Sequence, residues 1–587
     1  MLEHAIAKRW SLQDLLPDPV EESLEADLAD LETKVAALEA QRDSLTEDIQ
    51  TEAFLALLHE YEAIADRMGR LGAYGELWFS EDTHNMTALN MRDRIRAALI
   101  EAGNRTLFFS LWLKEMPDET AERLIAAAGE LHYFLEAERK FKPHTLSESE
   151  EQIINLKDTN GIEAMMALYE MITSKFTYTL EIDGESKTLT RDQMSAYYRH
   201  PSPDVRAATY QELYGVYADN STLLAQMYNH RVRDWQNEGG LRKFEQPISI
   251  RNLANDLPDK VVDTLLNVCR QNSGVFQHYL RLKAGWIGMD RLRRYDIYAP
   301  LAASDKEFAY SDAVEIVLDS FQHFSPRVAQ LAERVFTADH IDAEIRPDKR
   351  GGAFCYSVSP TLTPWVLLNY SGKARDVATM AHELGHAIHS LLAADHSPLT
   401  FHSSLPLAET ASVFAEMMLT DRLLKEESDP AVRRDLLAGA IDDAYATIQR
   451  QAFFTIFEKD AHRMINEGEP VDAICAAYMD NLRQQFGDSL ELSEDFQWEW
   501  ISIPHIYRVP FYTYAYSFGQ LLVFALYRQY QQEGEPFIPR YLKLLSYGGS
   551  EAPVKVLEEA GFDVASAEFW QGGYDVLSEM ISTLEEL

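Results

Sequence analysis

Apolar side chains near the start of the chain recur at alternating intervals of four and three positions, with charged residues between them. The repeat covers residues 24–49 and is broken by Arg42. A repeat of this kind predicts a long amphipathic helix with one apolar face. Because it spans only about three heptads, we expect the helix to pack within the chain, with a dimerising coiled coil as the alternative.

Helical patterns continue over most of the remaining sequence. Amphipathic segments with few glycines or prolines cover residues 50–175. Residues 178–189 then alternate around Asp183-Gly184, which predicts a β-hairpin, and helical segments resume after it. The pattern therefore predicts a mainly α fold with a boundary near the hairpin, which separates an N-terminal helical region, 1–190, from a second region, 191–587.

A short apolar and aromatic stretch precedes a further helical segment. Residues 353–358 alternate imperfectly, prolines follow them, and residues 365–370 are apolar or aromatic. These features predict two short strands, and Gly351-Gly352 would let backbone approach closely at the first of them. We therefore expect a small β-sheet just ahead of a helix whose predicted N-cap is Asp376.

Composition and charge exclude several classes of function. The chain has 587 residues, of which 46% are hydrophobic, and no run approaches the ~20 apolar residues of a membrane span. Its formal net charge of −40 argues against binding nucleic acid or anionic membrane surfaces, which needs clustered positive charge. The acidity could attract cationic peptides or reflect a salty habitat, and composition does not separate the two.

Cysteine usage and the N-terminal residues bear on the cellular compartment. The three cysteines, Cys269, Cys355 and Cys475, are widely separated and lack C-x-x-C spacing, as is typical of reduced core residues. The first residues lack the basic start and apolar segment of a signal peptide. These features predict a cytoplasmic protein.

The helical segment after the predicted sheet contains His382-Glu383-Leu384-Gly385-His386, the pattern H-E-x-x-H. Residues four apart on a helix share a face, so both imidazoles can bind one Zn²⁺ through bonds of about 2.0–2.1 Å. Glu383 lies further round the helix, where its carboxylate can act as general base on a water held at the metal. Because the pattern also arises by chance, two surface histidines are the alternative.

A catalytic zinc needs a third protein ligand. Glu409 is the candidate, because it lies in a second helical segment after Ser404 and Pro406, among small residues that permit close helix packing. This arrangement is that of the gluzincin class. An acidic residue that offsets the helix dipole is the alternative for Glu409. Glu416, two turns further on, could orient a ligand histidine through its second ring nitrogen, or could simply be solvated.

Other histidines near the motif fit less well as the third ligand. A metzincin would have Gly at position 389 and His at position 392, whereas the chain has His389 and Leu392, which excludes that class. His389 shares a broad face with the two motif histidines and is interpreted as a packing residue or a support for a ligand. His396 and His402 lack the helical spacing of Glu409.

Six runs of sequence stand out when they are considered together: 349–354, 365–370, 381–386, 409–416, 503–507 and 510–516. They resemble the core of the M3 metallopeptidases and, more narrowly, the oligoendopeptidase F branch, most specifically between residues 340 and 530. The resemblance implies a helical zincin fold in two parts that enclose a deep channel. It also implies oligopeptide substrates and one Zn²⁺ per chain, but it does not assign an oligomeric state.

The last two of these runs together supply one histidine and four tyrosines, His505, Tyr507, Tyr512, Tyr514 and Tyr516. Peptide hydrolysis at zinc develops negative charge on the carbonyl oxygen, and each donor placed there stabilises the transition state by about 2.7–4 kcal/mol. We therefore predict that His505 and Tyr512 are catalytic and that the other three tyrosines contact substrate. An aromatic core stripe is the alternative for any single tyrosine.

The sequence thus predicts a zinc-dependent oligoendopeptidase that hydrolyses internal bonds of short unstructured peptides, with Zn²⁺ on His382, His386 and Glu409. An extended substrate would add to the edge of the small sheet near residues 365–370, with Gly352 and Ala353 as contacts. One alternative is a metallocarboxypeptidase, in which Arg508 would clamp the substrate's C-terminal carboxylate. The other is a non-catalytic peptide-binding relative, against which an intact Glu383 argues.

Overall fold

The computed structural model describes residues 8–18, 20–182, 184–301 and 307–587. Helices of all types form 72% of the described residues and strands 4%, which confirms the mainly α fold. Short 3₁₀ turns join several of the helices, and a π-helical turn, Tyr445–Gln449, joins α19 to α20 as these are defined below.

In chain order the α-helices are α1 (Val20–Ala40), α2 (Thr51–Glu81), α3 (Met86–Glu115), α4 (Asp118–Ala127), α5 (His132–Lys140), α6 (Glu148–Asn160), α7 (Ile162–Thr173), α8 (Arg191–Ser195), α9 (Pro203–Asp219), α10 (Ser221–Leu241), α11 (Pro247–Ala254), α12 (Asp259–Gln271), α13 (Ser273–Trp286), α14 (Tyr310–Phe324), α15 (Pro326–Thr337), α16 (Ala374–Leu392), α17 (Leu405–Ala408), α18 (Thr410–Glu426), α19 (Pro430–Ala444), α20 (Arg450–Glu467), α21 (Val471–Phe486), α22 (Pro504–Arg508), α23 (Tyr514–Glu533), α24 (Ile538–Ser546), α25 (Pro553–Glu559) and α26 (Ala567–Glu586). No described helix is both long and apolar enough to cross a membrane.

The strands are short. They are β1 (Tyr178–Ile182), β2 (Glu185–Leu189), β3 (Leu292–Arg293), β4 (Ile341–Asp342), β5 (Phe354–Tyr356), β6 (Trp365–Leu367) and β7 (Leu490–Glu491). β1 and β2 form an antiparallel hairpin, which confirms the predicted one, although Asp183 of its turn lies outside the described residues. β3 and β7 pair in parallel.

The third sheet lies just ahead of α16, as predicted, and has the strand order β4-β6-β5. β6 pairs in parallel with β4 and antiparallel with β5. All three residues of β6 are fully buried, so the strand near residues 365–370 is the centre of the sheet. The prediction that it offers a free edge to substrate is therefore wrong, because both of its sides are already paired. β5 is an edge strand among the described residues.

The chain forms two compact units, each built from several stretches of sequence. The first contains the described residues of Met1–Thr145, Asp305–Leu423 and Gln529–Phe562, and the second those of Leu146–Ser304, Leu424–Arg528 and Asp563–Leu587. The predicted boundary at residue 190, which divides the sequence into an N-terminal and a second region, stays a prediction.

In the first unit, α1, α2 and α3 pack on one another around a hydrophobic core that also includes Trp365 and Leu367 of β6. The repeat near the start of the chain therefore packs within the chain, as expected. The predicted helix is too long, however, because α1 ends at Ala40 and a polar 3₁₀ turn, Arg42–Ser44, follows it. Leu45 and Ile49 lie in the connection to α2.

A second group of contacts in the first unit positions α16. This helix packs against α14, α15 and α24 and against strands β5 and β6. Its buried face includes Val377, Met380, Ala381, Leu384 and Ile388. The helix that carries the H-E-x-x-H pattern is therefore held on several sides, with one face turned to the edge of the small sheet.

The second unit contains the hairpin and most of the C-terminal helices. Its interior contains buried ion pairs, among them Arg294 with Glu499 at 3.1 Å and Lys283 with Asp442 at 2.7 Å. The charges in these pairs compensate each other, which an interior of low dielectric constant requires. The cysteines of both units are free thiols, as predicted.

Candidate metal centre and active site

The start of α16 differs from the predicted one. The helix begins at Ala374 after the N-cap Lys373, and Asp376 lies inside the first turn. Its carboxylate reaches back and accepts hydrogen bonds from the main-chain N–H groups of Ser371 and Lys373, at 2.8 and 3.1 Å. Asp376 therefore satisfies free N–H groups at the helix start without being the N-cap itself.

The structure brings three predicted metal ligands together in the first unit. Single ligand atoms of His382, His386 and Glu409 all lie within 4.8 Å of one another. The two Nε2 atoms are 3.2 Å apart, and each lies 3.4 Å from Oε2 of Glu409. A tetrahedral ion with bonds of about 2.0–2.1 Å separates its ligand atoms by about 3.3 Å. The three atoms therefore fit one tetrahedral metal ion and leave a fourth position for water or substrate.

Glu409 reaches this position from a break between two helices. α17 ends at Ala408 and α18 begins at Thr410, so Glu409 stands at the junction and not within one continuous helix. The predicted start at Ser404 and Pro406 is confirmed, with Ser404 as N-cap and the proline in the first turn. The Ser412 hydroxyl donates a 2.7 Å hydrogen bond to Oε2 of Glu409, which fixes the carboxylate.

A close contact between α16 and α18 lets the three predicted metal ligands share one site. Gly385, inside the H-E-x-x-H pattern, faces α18, and a Cβ atom added there would lie 2.6 Å from the Ala411 carbonyl oxygen and from the Ser412 Cα. Only glycine fits at that distance. The small residues around Glu409 thus let the two helices approach until their ligand atoms share one site.

Both histidines are held through a second polar contact. Nδ1 of His382 lies 2.5 Å from Oε1 of Glu416, which turns Nε2 of His382 towards Glu409. The main-chain carbonyl of Ala408 acts on the imidazoles of His386 and His389 and favours their protonated forms. Such partners fix the tautomer and the orientation of a metal-ligating imidazole. Glu416 therefore occupies the position that the sequence suggested.

Burial and charge shift the protonation of these side chains. Burial lowers the pKa of His382, but the hydrogen bond that its imidazole donates to Glu416 and the nearby carboxylates outweigh burial and raise this pKa to about 9. Burial lowers the pKa of His386. Burial would raise the pKa of Glu409, but the two imidazoles bring it below its usual range. A metal ion competes with the proton on His382, so acid should weaken metal binding.

Glu383 lies beside the ligand cluster. Its side chain is buried, and the main chain of Cys355 in β5 favours the charged form of its carboxyl group. Burial raises the pKa of Glu383 to about 7, with Glu409 and Glu416 adding to the effect. A carboxyl group with a pKa near neutrality can both take up and release a proton at working pH.

A cavity of about 650 Å³ connects the ligand cluster with the edge of the sheet. Ala353 and the three residues of β5 line one wall, and the predicted metal ligands and Glu383 line another. Gly352, with a positive φ of 80°, turns the chain just before this wall. His389 also lines the cavity, and burial lowers its pKa to about 4, so its imidazole is uncharged at neutral pH.

His505, Tyr512 and Tyr516 form a half-buried aromatic cluster in the second unit. The ring centroid of His505 lies 6.0 Å from that of Tyr512 and 5.9 Å from that of Tyr516, and the centroids of the two tyrosine rings are 5.2 Å apart. Burial and neighbouring arginines lower the pKa of His505. The Tyr516 hydroxyl lies 3.5 Å from Nε2 of His505, so the cluster combines two hydroxyl groups with an imidazole whose pKa is below its usual range.

The other two tyrosines of this segment lie in a different environment. Tyr507 is fully buried, and its hydroxyl donates to the Leu224 carbonyl oxygen at 3.2 Å. Tyr514 is also fully buried, and its hydroxyl accepts a 2.8 Å hydrogen bond from Asn255. Both have the surroundings of core residues and not those of substrate contacts.

Two features of the site carry no signal in the sequence pattern. The main chain of Cys355 acts on Glu383 and that of Ala408 acts on His386, and any residue type could supply these groups. Burial raises the pKa of the Cys355 thiol, so it is not an activated nucleophile.

The geometry defines a class of protein. Two histidines one helical turn apart, a carboxylate at the junction of two further helices and a buried glutamate have the arrangement that metal-dependent peptidases use. The family model for peptidase family M3 matches residues 196–576, and that for oligopeptidase F matches residues 112–178. The chain belongs to peptidase family M3, and it is a metalloendopeptidase.

Curated relatives and solved structures agree over nearly the whole chain. Oligopeptidase PepF of Bacillus subtilis is 24% identical over 98% of this chain and 87% of its own length. Group B oligopeptidase PepB of Streptococcus agalactiae is 27% identical over 82% of this chain and 79% of its own. The crystal structure of oligoendopeptidase-F from Enterococcus faecium covers 96% of this chain and 99% of its own, with a TM-score of 0.73 and 20% identity, and so shares the fold.

Proposed function

We propose that this metallopeptidase is a zinc-dependent oligoendopeptidase that hydrolyses internal bonds of short, unstructured peptides. The observation that carries the proposal is the set of three ligand atoms at tetrahedral spacing, 3.2–3.4 Å apart, beside the buried Glu383. The preference for short peptides rests on the family resemblance and on the names of the relatives.

The donor set supports zinc as the metal. His382, His386 and Glu409 would hold one ion per chain through two imidazole nitrogens and one carboxylate oxygen, a set that zinc takes in catalytic sites. When bound, the ion would polarise the scissile carbonyl and lower the pKa of a water molecule. Glu416, at Nδ1 of His382, would keep that imidazole oriented.

Glu383 carries the proton transfers in this proposal. Its carboxylate takes a proton from the attacking water as the new C–O bond forms, and it returns that proton to the amine nitrogen as the C–N bond breaks. The main chain of Cys355 favours the charged form of this carboxylate. A pKa of about 7 suits both directions of transfer.

The edge strand β5 would bind the substrate backbone. β5 lines the same cavity as Glu383, and its outer side has no strand partner among the described residues. An extended peptide can add to such an edge by main-chain hydrogen bonds, which give affinity with little dependence on side chains. Gly352 and Ala353, at the start of this wall, are proposed as further contacts.

His505 and Tyr512 are proposed as donors to the oxyanion, with Tyr516 beside them. Their half-buried cluster leaves polar groups accessible. We assign no substrate contact to Tyr507 or Tyr514, because both hydroxyls are already bonded in the core of the second unit.

The alternatives are not favoured. The carboxypeptidase alternative needs a free basic clamp, but Arg508 forms a 2.6 Å hydrogen bond with Glu170 and is partly neutralised by it. A non-catalytic relative has no use for a buried carboxyl beside a three-ligand cluster. A reducing compartment such as the cytoplasm is supported by the three free thiols.

A digest of a peptide ladder tests this function. Peptides of increasing length, blocked at both ends, are incubated with the zinc-loaded enzyme beside a stable folded protein, and the products are identified by mass spectrometry. We expect internal cuts with loose sequence preference and an intact folded protein. Stepwise loss of single C-terminal residues from unblocked peptides, with no cutting of blocked ones, would instead identify a carboxypeptidase.

A further inference from the structure

The segment that carries Tyr512 is attached to α20 on both sides of that residue. On one side, the main-chain N–H of Phe511 donates to Oε1 of Glu458 at 3.0 Å. On the other, the hydroxyls of Thr513 and Thr455 are 2.8 Å apart. Glu458, Thr455 and Thr513 are fully buried. Tyr512 is thus bracketed by two hydrogen bonds in the protein interior.

One face of α20 provides the whole attachment. Thr455, Glu458 and His462 follow at intervals of three and four residues, so they lie along one stripe of the helix. The imidazole of His462 packs on the Phe511 ring, with centroids 4.5 Å apart. Three successive contacts of this stripe therefore hold Phe511 and Thr513, the residues on either side of Tyr512.

The backbone at Phe511 shows why such an attachment is needed. Its φ of 59° lies in the left-handed region, which is uncommon for a bulky residue. A conformation of this kind persists only where surrounding contacts hold it. The turn at Phe511 directs the chain into α23, and Tyr512 stands directly after the turn, where its ring meets His505 and Tyr516.

We propose that Glu458, assisted by Thr455, is a positioning residue that sets Tyr512 for its hydrogen bond to the oxyanion. This inference rests on the role proposed above for Tyr512. Glu458 itself touches neither metal nor substrate in this account and acts through the Phe511 main chain. Burial raises the pKa of Glu458 to about 8, so the carboxyl is mostly uncharged at neutral pH. A glutamine, which keeps a carbonyl oxygen for the Phe511 N–H, should therefore replace it well.

A double-mutant cycle on a blocked oligopeptide tests the proposal. Glu458→Met removes the acceptor and keeps similar volume. In the otherwise native enzyme it should lower kcat about tenfold, as expected for a small displacement of a catalytic group, with little change in KM or in metal content. Glu458→Gln should stay within about twofold of the native kcat. In the Tyr512→Phe background, Glu458→Met should lower kcat by less than about twofold.

Two further variants distinguish a loss of positioning from a loss of folding. Thr455→Val removes the second hydrogen bond with little change of shape and should lower kcat in the same background-dependent way. Phe457→Leu is the matched control, because Phe457 is buried on α20 but packs on Tyr478. It should lower the melting temperature and leave kcat unchanged.

The outcomes separate the positioning role of Glu458 from the oxyanion role of Tyr512. Equal losses of kcat from Glu458→Met in both backgrounds, or a similar loss from Phe457→Leu, would overturn the positioning role and leave the role of Tyr512 standing. An unchanged kcat in Tyr512→Phe alone would reject the oxyanion role of Tyr512 and, with it, the positioning role. Metal content and peptide products of the native enzyme, measured alongside, test the peptidase assignment separately.

Discussion

Each proposed metal ligand is aimed by a polar neighbour. Glu416 lies at Nδ1 of His382, the Ala408 carbonyl acts on His386, and the Ser412 hydroxyl donates to Glu409. These contacts hold the ligand atoms at the spacing that a tetrahedral ion requires. Preorganisation of this kind reduces the ordering that metal binding must otherwise bring about.

Metal titration can distinguish the roles of Glu409 and Glu416. Glu409→Ala should abolish tight zinc binding, because it removes a ligand. Glu416→Ala should keep the stoichiometry and weaken affinity by about 10–100-fold, as expected when the support of a ligand is lost. Glu426→Ala, an exposed change at the end of the same helix, is the control. If Glu409→Ala bound zinc normally and Glu416→Ala did not, the third ligand would be Glu416.

Gly385 makes a second prediction at this scale. Gly385→Ala places a methyl group against the backbone of Ala411 and Ser412, so α18 must move away from α16. We expect a loss of stability of about 1–3 kcal/mol from overpacking, together with weaker zinc binding. Denaturant unfolding and metal titration measure the two effects.

Gly103→Ala is the matched control for this substitution, because a Cβ atom at Gly103, also inside a helix of the first unit, meets nothing within 4 Å. It should be neutral or slightly stabilising. Native zinc affinity in Gly385→Ala would show that the close helix contact is not required by the site.

At the scale of elements, the sequence predicted local structure better than pairing. The periodicity around the H-E-x-x-H pattern gave the helix, and the aromatic run before it gave a strand. The sequence did not reveal that β6 is the central strand and β5 the edge strand. That strand order depends on β4, which pairs with β6 although it lies in a separate segment of the sequence. The end of α1 was also misplaced, since apolar spacing continued beyond the helix.

The edge-strand role of β5 predicts an alternating dependence on substrate main-chain groups. In a strand added to a sheet edge, alternate N–H groups face the protein and the others face away. N-methylation of a peptide should therefore raise KM at every second position, by about tenfold for a lost hydrogen bond worth about 1–1.5 kcal/mol. A set of singly methylated peptides, compared with the parent peptide, measures this pattern. A uniform effect at all positions would argue against strand addition.

At the scale of the whole molecule, the sequence identified which segments build the site, but not how each is supported. The runs at 381–386 and 409–416 were recognisable by spacing and resemblance. Thr455 and Glu458 were not, because a buried threonine and glutamate on a helix have no distinctive pattern and meet residues 511–513 only in the folded unit. The core positions of Tyr507 and Tyr514 were likewise set by packing that spacing does not reveal.

The net charge of −40 leads to a prediction about the protein as a whole. A lysine-rich peptide should show a higher kcat/KM than a neutral peptide of the same length at low salt, because the acidic surface attracts it. The advantage should fall as ionic strength rises from about 0.01 M to about 1 M, over which the Debye length shrinks from about 30 Å to about 3 Å. Equal salt dependence for both peptides would show that the acidity does not guide substrate.

The central claim is that Glu383 acts as general base beside a zinc ion held by His382, His386 and Glu409. It is tested most directly by measuring zinc content and turnover of a blocked peptide in the same samples of native enzyme and Glu383→Gln. We predict about one zinc per chain in both proteins and a fall in kcat of at least about 10²–10⁴-fold in the variant, the range of general acid–base catalysis. A variant that kept both its zinc and most of its turnover would contradict the account.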